Sequence, residues 1–464
     1  MPALYAQASA SLARLQRFAS RINRTIPAAQ PAARVWLGDD RASTATLRDR
    51  SAATGILDAW TPLGPGNIGG RTRVVRFRST NPATLFAAGV SGGIWRSQDA
   101  GASWRPIGEG LTNLNVNTLA IDPQRPDVMY AGTGEGYFRE EIRGTGLPRR
   151  GGGVFVTDTG GVNWRHLDAT ATPDFHWVND LELGVNDPRR IYAATRTGVW
   201  RSQDAGLTWT RLLSVTVRGG CLDLALRPDR VEDVLFASCG SYERATVYRF
   251  PRAADAADVD IVLQEQHQGR TSLAIAPSNP SVIYAMAASN DGGPGDNYRQ
   301  GLLGVYRSSS GGGPGTWQAR STNRDTNKLN TLLLTNPYGA TLGDCSPASQ
   351  NNFTNMGWYI NVIAVDPRDP DRVWAAGVSW FRSEDGGLNW GMADWGSSGV
   401  PAWTHVDQHA ITFHPQYDGA SNQTAMIGND GAVFRTANAR AATKQGPLAP
   451  RRRAFCSSSC SGPR

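Results

Sequence analysis

The chain has 464 residues, of which only 19% are charged, and its 47 basic and 40 acidic side chains leave a net charge of +7 at pH 7. That excess is modest for the length, and no basic stripe interleaved with aromatic residues accompanies it, so we expect no nucleic-acid partner. No run of 18 apolar residues occurs, so no membrane-spanning helix is predicted. The 52 glycines and 15 tryptophans are typical of many short strands joined by tight turns.

Residues 1–55 form a predicted N-terminal extension. Leu12, Leu15, Phe18 and Ile22 recur at helical spacing, which predicts one short amphipathic helix before a linker rich in proline and alanine. Its apolar side either packs against the folded domain or serves as a transit peptide or membrane-surface helix. The first 38 residues hold five arginines and no acid but lack the apolar core of a secretory signal. The compartment therefore stays unassigned, with a secreted or periplasmic location favoured.

One octapeptide recurs four times. Ser202–Trp209 reads SQDAGLTW, Ser97–Trp104 and Ser383–Trp390 are near copies, and Thr157–Trp164 is a looser copy with threonine at position 159 in place of aspartate. The pattern predicts the tip of a hairpin, in which aspartate accepts backbone N–H groups of its own turn, glycine takes a positive φ and tryptophan anchors the returning strand. The residues assigned to this structural role are Asp99, Trp104, Trp164, Asp204, Trp209, Asp385 and Trp390.

A longer repeat surrounds these hairpins. Seven strand-like segments recur about every 45 residues, and each is followed by a turn and a second apolar strand. Such a unit cannot bury both of its faces without neighbours. The repeat therefore predicts an all-β fold, a seven-bladed β-propeller of four-stranded antiparallel blades over residues 56–436. The first strands of the blades are predicted at residues 73–77, 117–121, 179–183, 222–226, 271–275, 361–365 and 409–413.

Three further segments bear on the limits of this ring. Trp60–Gly64 matches Trp104–Gly108, the outer strand that follows a hairpin, so we expect the N-terminal segment to supply the missing outer strand of blade seven. Residues 330–335 could form a strand of an eighth blade, but without a partner strand we interpret them as a loop. Residues 437–464 contain three consecutive arginines and no apolar period, which predicts a disordered tail.

The five cysteines are an odd number. Cys221 and Cys239 flank a predicted hairpin symmetrically, which suits a cross-strand disulfide, although two buried free thiols are the plainer interpretation. Cys345, Cys456 and Cys460 have no such arrangement.

The candidate site lies at one end of the predicted channel. The first strands begin on the same face as the loops between second and third strands, and we call this face the channel mouth. The octapeptide hairpins are expected on the opposite face. Loops 137–152, 289–303 and 321–357 vary most in length and belong to the mouth, where binding sites are normally built.

Aligning the first strands stacks equivalent side chains into two layers. The inner layer is Arg73, Asn117, Asn179, Leu222, Thr271, Asn361 and His409, and the outer layer is Arg71, Asn115, Trp177, Gly220, Gly269, Tyr359 and Asp407. Burying polar side chains on such strands costs free energy unless they form hydrogen bonds, contact water or bind a ligand, so a water-filled channel is the alternative to a binding site. The candidate ligand-binding residues are Arg71, Arg73, Asn117, Asn179, Arg196, Tyr359, Asn361, His405, His409 and Asp430.

Two patterns suggest chemistry at the mouth. His405, Asp407 and His409 alternate and would share one face of a strand, which suits Zn²⁺, although side chains about 7 Å apart are loose for three ligands. We therefore prefer a hydrogen-bonded cluster and expect no metal and no cofactor. Glu135 and Asp180 lie on neighbouring blades and could form a carboxylate pair of the kind that inverting glycosidases hold about 6.5–9.5 Å apart. Solvated loop acids are the alternative.

The octapeptide resembles the Asp-box of the BNR-repeat family, which includes sialidases, xyloglucanases and sortilin-like receptors. Gly64–Arg71, Gly357-Trp-Tyr359 and the alternating pattern at His405–His409 are landmarks similar to those of bacterial members described as glycosyl hydrolases. The resemblance implies a β-propeller whose Asp-box hairpins lie away from the ligand face.

The catalytic residues of that family do not carry over. Arg71-Thr-Arg-Val74 lacks the Phe/Tyr-Arg-Ile-Pro segment of sialidases. The position that resembles the catalytic aspartate of xyloglucanases, just before a Val-Gly-Gly like Ser91-Gly-Gly93, is Val90 here. Xyloglucanases also use a second propeller, for which this chain has no room.

Two functions are therefore expected. The first is a monomeric propeller that binds or scaffolds a glycan or protein ligand at the mouth. The alternative is a glycoside hydrolase that uses Glu135, Asp180 and Asp407 as catalytic carboxylates.

Overall fold

The structure is a computed structural model, and the residues it describes all belong to one compact unit, Ile56–Arg464. They are residues 61–64, by their backbone, and residues 71–138, 148–230, 232–255, 257–291, 299–327, 329–335, 355–393 and 404–440. The predicted N-terminal helix, the tail from residue 441 onward, and Cys345, Cys456 and Cys460 lie outside them. No helix within the described ranges has the length and apolar character needed to cross a membrane.

Within the described residues, twenty-eight strands form seven antiparallel sheets of four strands each. The innermost strands are β2 (Thr72–Arg78), β6 (Val116–Ile121), β10 (Val178–Leu183), β14 (Cys221–Leu226), β18 (Gln268–Ile275), β22 (Val362–Asp366) and β26 (Gln408–Phe413). The second strands are β3 (Asn81–Gly89), β7 (Met129–Thr133), β11 (Ile191–Thr195), β15 (Leu235–Cys239), β19 (Ile283–Ser289), β23 (Asp369–Ala376) and β27 (Ala425–Asn429).

The third and outer strands complete each blade. The third strands are β4 (Gly93–Ser97), β8 (Val154–Thr157), β12 (Gly198–Ser202), β16 (Thr246–Phe250), β20 (Leu302–Ser308), β24 (Trp380–Ser383) and β28 (Val433–Thr436). The outer strands are β5 (Arg105–Ile107), β9 (Arg165–His166), β13 (Thr210–Ser214), β17 (Asp260–Leu263), β21 (Trp317–Thr322), β25 (Gly391–Met392) and β1 (Thr61–Gly64). Short 3-10 turns occur at Asp168–Thr170, Pro173–Phe175 and Asn330–Leu332.

The ring closes through the N-terminal strand. β1 pairs antiparallel with β28, with Thr61 opposite Arg435 and Gly64 opposite Val433, and so completes blade seven from the start of the chain. The innermost strands of successive blades contact one another, and β26 contacts β2. The predicted seven-bladed propeller and its closure are confirmed.

The core consists of seven apolar layers, one between each pair of neighbouring blades. Second strands are buried on both faces, which explains why they read as continuous apolar runs rather than alternating ones. A large side chain in each second strand packs toward the next blade, as Phe86 does toward blade two and Tyr192 toward blade four. Burial of one such ring stabilises the fold by about 1.5–3 kcal/mol, and alanines beside it let the blades approach closely.

The octapeptide hairpins have the predicted turn chemistry. Asp204 Oδ1 accepts the N–H of Thr208 at 2.9 Å, and the indole N–H of Trp209 donates to the Gly206 carbonyl at 3.2 Å. Ala205 and Gly206 take φ of 62° and 91°, so two successive residues are left-handed. The tryptophans are buried or half-buried. These aspartates and tryptophans therefore stabilise the hairpin, as expected.

Two hairpins depart from the repeat. Thr159 replaces the aspartate in the loosest copy, and its hydroxyl still accepts the N–H of Asn163 at 3.0 Å. A fifth hairpin, between Ser308 and Trp317, was not recognised in the sequence because it is two residues longer. Ser308 Oγ accepts the N–H of Gly312 at 3.0 Å, as the equivalent serine does in the other copies.

The segment at 330–335 does not form an eighth blade. Asn330–Leu332 is a 3-10 turn, and Leu332, Leu333 and Leu334 pack into the layer between blades five and six. The segment is therefore the loop that was expected, but a buried one.

Cys221 and Cys239 stand opposite each other in register on β14 and β15 and form a disulfide. Their relative exposures are 0% and 1%. The cross-strand disulfide is confirmed, and the plainer interpretation of the sequence, two buried free thiols, is wrong.

Candidate functional site at the channel mouth

The octapeptide hairpins and the channel mouth lie at opposite ends of the blades. The N–H of Ala205 donates to the Arg189 carbonyl, in the turn between β10 and β11, at 2.8 Å. In blade six the N–H of Gly386 donates to the Asp371 carbonyl, beside the equivalent turn, also at 2.8 Å. Because each innermost strand runs from the mouth to that turn, the hairpins are fixed to the far end.

A cavity of about 180 Å³ follows the axis of the ring. Every innermost strand or the residue just before it contributes to the wall, through Arg73, Asn117, Asn179, Leu222, Arg270, Asn361 and His409. Amides, guanidinium groups and an imidazole make this wall polar, so it suits hydrogen-bonding contents rather than a dry cavity. The sequence alignment predicted this layer in every blade except blade five.

Blade five places Arg270 on the channel where the alignment had Thr271. Gln268 and Thr271 pair with Ser289 and Ala287, so the one extra residue falls before Thr271, whereas in the other bulged strands it is the aligned channel residue itself, as Leu222 and Asn117 are. The earlier bulge leaves Thr271 paired in the sheet, with its hydroxyl donating to the Gly269 carbonyl at 3.0 Å, and directs Arg270 to the channel. The prediction for this blade was wrong because a bulge breaks the two-residue period of a strand.

Arg73 lies at the centre of a buried polar network. Its Nη2 is 2.9 Å from Glu135 Oε1, and its Nη1 donates to the Tyr359 carbonyl at 3.4 Å. Arg71 Nη2 lies 3.6 Å from Glu135 Oε2, and the Tyr359 hydroxyl donates to Glu135 Oε1. Burial raises the pKa of Tyr359, so its phenol remains a donor. The Glu135 side chain is 0% exposed, so this candidate catalytic acid is an internal carboxylate.

Tyr137 closes the mouth end of the channel. Its ring lies between the guanidinium groups of Arg73 and Arg270, each 4.5 Å from the ring centroid. Asn117 Nδ2 donates to its hydroxyl at 3.3 Å, and the residue is 6% exposed. Contacts of two guanidinium groups with one aromatic ring are favourable in a desolvated site, and they hold the Tyr137 ring in place.

The loop that carries Tyr137 is clamped from blades three and four. Arg196 Nε donates to the Gly136 carbonyl at 3.0 Å, and its Nη2 donates to the Phe138 carbonyl. The Tyr242 hydroxyl donates to the Tyr137 carbonyl at 3.1 Å. Arg196, a predicted ligand-binding residue, therefore has a positioning role for this loop.

The predicted asparagines join neighbouring blades. Asn117 Nδ2 donates to the Asn179 carbonyl at 2.9 Å, Asn179 Nδ2 donates to the Cys221 carbonyl at 2.8 Å, and Asn361 Nδ2 donates to the Arg270 carbonyl at 3.1 Å. The Oδ1 atoms of Asn117 and Asn361 are buried without a hydrogen-bond partner among the described residues. These two oxygens remain as acceptors for contents of the channel.

Asp180 bridges blades inside the channel. Its Oδ2 accepts the N–H of Leu224 at 3.0 Å, and its Oδ1 accepts the Thr118 hydroxyl at 3.0 Å. Asp223 occupies the same position one blade on and accepts the N–H of Leu273 at 2.8 Å. Burial raises the pKa of Asp180, and burial together with Asp180 raises that of Asp223. Asp180 thus connects blades three and four by a hydrogen bond, whereas Glu135 belongs to the arginine network.

Blade seven brings His409, Asp430 and Asp407 to the mouth. His409 Nε2 is 2.6 Å from Asp430 Oδ1, and its Nδ1 is 3.1 Å from Arg73 Nη1. The N–H of Asp430 donates to the Asp407 carbonyl at 3.2 Å. The Asp430 side chain is 28% exposed, and burial together with the Asp407 charge raises its pKa to about 6. Burial also raises the pKa of Asp407.

The trio of His405, Asp407 and His409 does not share one strand face. β26 begins at Gln408, and Asp407 has a φ of 65°, so the chain turns between the first and third residue of the pattern. His405 packs against Gly431, and His409 points into the channel. Within the described ranges, no group of three or more histidine, cysteine or acidic side chains is arranged to hold a metal ion.

An aromatic cluster borders the mouth. The rings of Phe138 and Trp358 are 5.3 Å apart, those of Trp358 and Tyr359 are 5.2 Å apart, and those of Tyr242 and Trp358 are 5.8 Å apart. Trp358 and Tyr242 are half-buried, and so is Trp177, on which Arg196 stacks at 4.7 Å. The mouth therefore offers partly exposed aromatic faces beside carboxylates.

Sequence reasoning missed Tyr137, Arg270 and Trp358 as site residues. Tyr137 and Trp358 lie in loops whose path no strand period predicts. The signal for Tyr137 was the position of its loop, directly after Gly132-Thr-Gly-Glu-Gly136, since Glu135 was already a candidate.

No protein-family model matches the chain. Among curated proteins, a xyloglucanase from a Paenibacillus species is 25% identical over 378 residues, which cover 76% of this chain and 34% of that enzyme. A xyloglucanase from Acetivibrio thermocellus is 23% identical over 417 residues, which cover 82% of this chain and 44% of that enzyme. The chain thus spans between a third and a half of the length of these curated relatives.

Among solved structures, the GH74 enzyme from Niastella koreensis superposes with a TM-score of 0.54 at 15% identity, covering 82% of this chain and 54% of that chain. The GH74 xyloglucanase from Xanthomonas campestris gives a TM-score of 0.55 at 16% identity, with 84% and 55% covered. At this identity the structural likeness establishes the fold alone. In sequence, the chain is similar to xyloglucanases.

Proposed function

We propose that the chain is a glycoside hydrolase-like propeller that takes a polysaccharide across the channel mouth. The likeness to two xyloglucanases over more than three quarters of the chain supports a β-glucan substrate. This reverses the order of the two expected functions, because binding without hydrolysis was the first of them.

The observation that carries the proposal is the carboxyl pair Asp407 and Asp430. Both carboxyl groups are partly exposed at the mouth, and the pKa of Asp430 is raised to about 6 by burial and by Asp407. Two neighbouring carboxyl groups that repel each other's charge do not ionise together easily, so one can act as acid while the other acts as base. Glu135 is less suited, because Arg71, Arg73 and Tyr359 surround it.

The proposed reaction is hydrolysis of a glycosidic bond. Asp430 gives its proton to the leaving oxygen as the bond from the anomeric carbon to that oxygen breaks. Water adds its oxygen to the anomeric carbon and gives a proton to the Asp407 carboxylate. Trp358, Tyr242 and Trp177 offer partly exposed rings on which sugar rings could stack.

Binding without hydrolysis is the second candidate. The observation that favours it is that Glu135 and Asp180, two of the three predicted catalytic acids, are both engaged in bonds inside the propeller. A polysaccharide held by the aromatic rings and asparagines would need no free acid.

The experiment is a turnover and binding screen with xyloglucan and other β-glucans. Release of reducing ends and retardation in polysaccharide-containing gels are measured for the wild type, D430N, D407N and the control D127N. Asp127 is 58% exposed, pairs with Arg78 at 2.7 Å and lies at the hairpin end of blade two, so D127N changes the same charge away from the mouth.

Turnover that falls about 100-fold or more in D430N and D407N but not in D127N would support hydrolysis. Retardation without turnover would select the binding function instead. Neither turnover nor retardation with any of the glucans would overturn the proposal.

A further inference from the structure

The imidazole of His409 connects Arg73 to Asp430. Arg73 Nη1 lies 3.1 Å from Nδ1, and Asp430 Oδ1 lies 2.6 Å from Nε2. A guanidinium group has only donors, so Nδ1 must offer its lone pair to Arg73. In the neutral ring the hydrogen is then on Nε2 and is donated to Asp430 Oδ1. The hydrogen bonds therefore fix which tautomer of His409 is present.

Arg73 is held in place from several sides. Glu135 Oε1 lies 2.9 Å from Nη2, the Tyr359 carbonyl accepts from Nη1, and the rings of Tyr359 and Tyr137 lie 4.2 and 4.5 Å from the guanidinium carbon. The His409 side chain is 0% exposed, so its ring has no room to turn over freely. Burial and then Arg73 lower the pKa of His409 well below its usual range, which keeps it neutral.

The orientation of Asp430 follows from this chain of contacts. Oδ1 accepts the hydrogen bond from His409, so the proton of the neutral carboxyl belongs on Oδ2. The 28% of the Asp430 side chain that remains exposed is where a ligand can reach this acid.

We propose that His409 is a positioning residue that aims the acidic proton of Asp430 at the sugar, with Arg73 selecting the tautomer that does so. This inference rests on the proposed hydrolytic function for its catalytic meaning. The proton transferred is the one on Asp430 Oδ2, and the hydrogen on His409 Nε2 stays in place throughout.

Charges of both signs surround Asp430, and its pKa depends on them as well as on the contact with His409. Asp407 favours the protonated carboxyl, whereas Arg73, Arg71 and His405 favour the carboxylate. The hydrogen bond from His409 also stabilises the carboxylate, because it is a donor to the charged form. Its loss should therefore raise the pKa of Asp430 further.

The first test is NMR of the wild-type chain labelled with ¹⁵N in histidine and ¹³C in the aspartate side chain. His409 is expected to show an unprotonated Nδ1 and a protonated Nε2, and to stay neutral at pH values where an exposed imidazole takes up a proton. A ring protonated on Nδ1, or an imidazolium near neutral pH, would refute the tautomer on which the proposal depends. This NMR measurement needs no variant and no enzymatic turnover.

The second test compares H409Q, H409M and the control H414Q. Glutamine can still donate to Asp430, whereas methionine cannot. His414 packs on Phe77 at 5.3 Å, near the hairpin end of blade seven, away from the mouth. The Asp430 pKa is expected to rise by about one pH unit in H409M and to stay near the wild-type value in H409Q and H414Q.

The pH dependence of kcat/KM separates positioning from simple stability. In H409M the alkaline limb of the pH profile of kcat/KM should move to higher pH by the same amount as the Asp430 pKa, and the maximum of kcat/KM should be lower. H409Q should restore both the position of the limb and the maximum. A loss of rate with an unmoved limb and an unmoved Asp430 pKa would overturn the proposal and leave His409 a purely structural residue. If no glucan is hydrolysed at all, the proposed function fails, while the tautomer and the Asp430 titration still decide the His409 contact.

Discussion

Replacing Glu135 by glutamine removes the carboxylate that faces Arg71 and Arg73 in the buried network. Breaking a buried ion pair by neutralising one partner costs about 3–5 kcal/mol, because a charge is left without its counter-charge. Glutamine keeps a carbonyl oxygen for Arg73 Nη2, and Arg73 keeps its contacts with His409 and with the Tyr359 carbonyl. We therefore expect the lower end of that range, about 3 kcal/mol of lost unfolding free energy.

The assay is urea denaturation followed by tryptophan fluorescence, with E243Q as the matched control. Glu243 lies 3.3 Å from Arg218, and both side chains are close to half exposed, at 46% and 43%. An exposed pair of this kind contributes no more than about 1 kcal/mol. A loss in E135Q as small as that in E243Q would refute the reasoning that Glu135 is a structural counter-charge.

A double-mutant cycle sharpens this prediction. Removing both charges with E135L and R73M leaves no uncompensated ion, so the double variant should lose at least about 1 kcal/mol less than the sum of the two single losses. Additive losses would mean that the two side chains are energetically independent despite their 2.9 Å contact.

Three further predictions concern the turns, the disulfide and the acid pair. Ala205 has a φ of 62° where two of the other hairpin copies have glycine, Gly160 and Gly386, so A205G should gain up to about 1 kcal/mol in urea unfolding, whereas G206A should lose stability because its Cβ would lie 2.4 Å from Leu167 Cδ1; a stabilised G206A would contradict this. Removing the disulfide by C221A/C239A, which frees a loop with a sequence separation of 18, should cost about 3 kcal/mol, and a reductant should have the same effect on the wild type but none on the double variant. The raised pKa of Asp430 means that the folded chain binds more protons than the unfolded one between about pH 4 and 6, so wild-type stability should fall as pH rises through that window. D430N should therefore be about 1–2 kcal/mol more stable than the wild type at pH 7.5, after allowance for the exposure of the side chain, and no more stable at pH 3.5; equal stability at both pH values would contradict the raised pKa.

The fold was predictable because the residue types that recur in the repeat each have a role within a single turn. Asp204, Gly206 and Trp209 each satisfy a demand of one tight turn, and that demand recurs in the other octapeptide hairpins regardless of the rest of the blade. The closing strand was predictable for the same reason, since Trp60–Gly64 repeats the segment that follows a hairpin. The hairpin at 308–317 was missed because an insertion changed its spacing and Ser310 stands at the position of the aspartate.

The site was predictable only in part, because it depends on contacts between distant segments. The strand period identified Arg73, Asn117, Asn179, Asn361 and His409 as channel residues, and each does line the cavity. It failed at Arg270, where the bulge comes earlier in the strand than in the other blades. It also could not reveal that Tyr137 from one loop enters the space between two arginines of other blades.

The acids show the same limit. The sequence suggested Glu135 and Asp180 as a pair because they lie on neighbouring blades, but Glu135 faces arginines and Asp180 accepts the backbone N–H of Leu224 in the next blade. The expected strand of His405, Asp407 and His409 is interrupted by a left-handed residue at 407, which no alternating pattern discloses. Asp430 was placed among the ligand-binding residues, and its partnership with Asp407 and His409 became visible only in three dimensions.

The central claim, that the mouth is where polysaccharide is taken up, is tested most directly by a crystal structure of D430N with a xyloglucan oligosaccharide. We expect sugar rings against Trp358 or Tyr242, with a glycosidic oxygen within hydrogen-bonding distance of residue 430. Sugar bound instead beside Asp204 and Asp385 at the hairpin end would contradict the account, as would an empty mouth at oligosaccharide concentrations that saturate binding in solution.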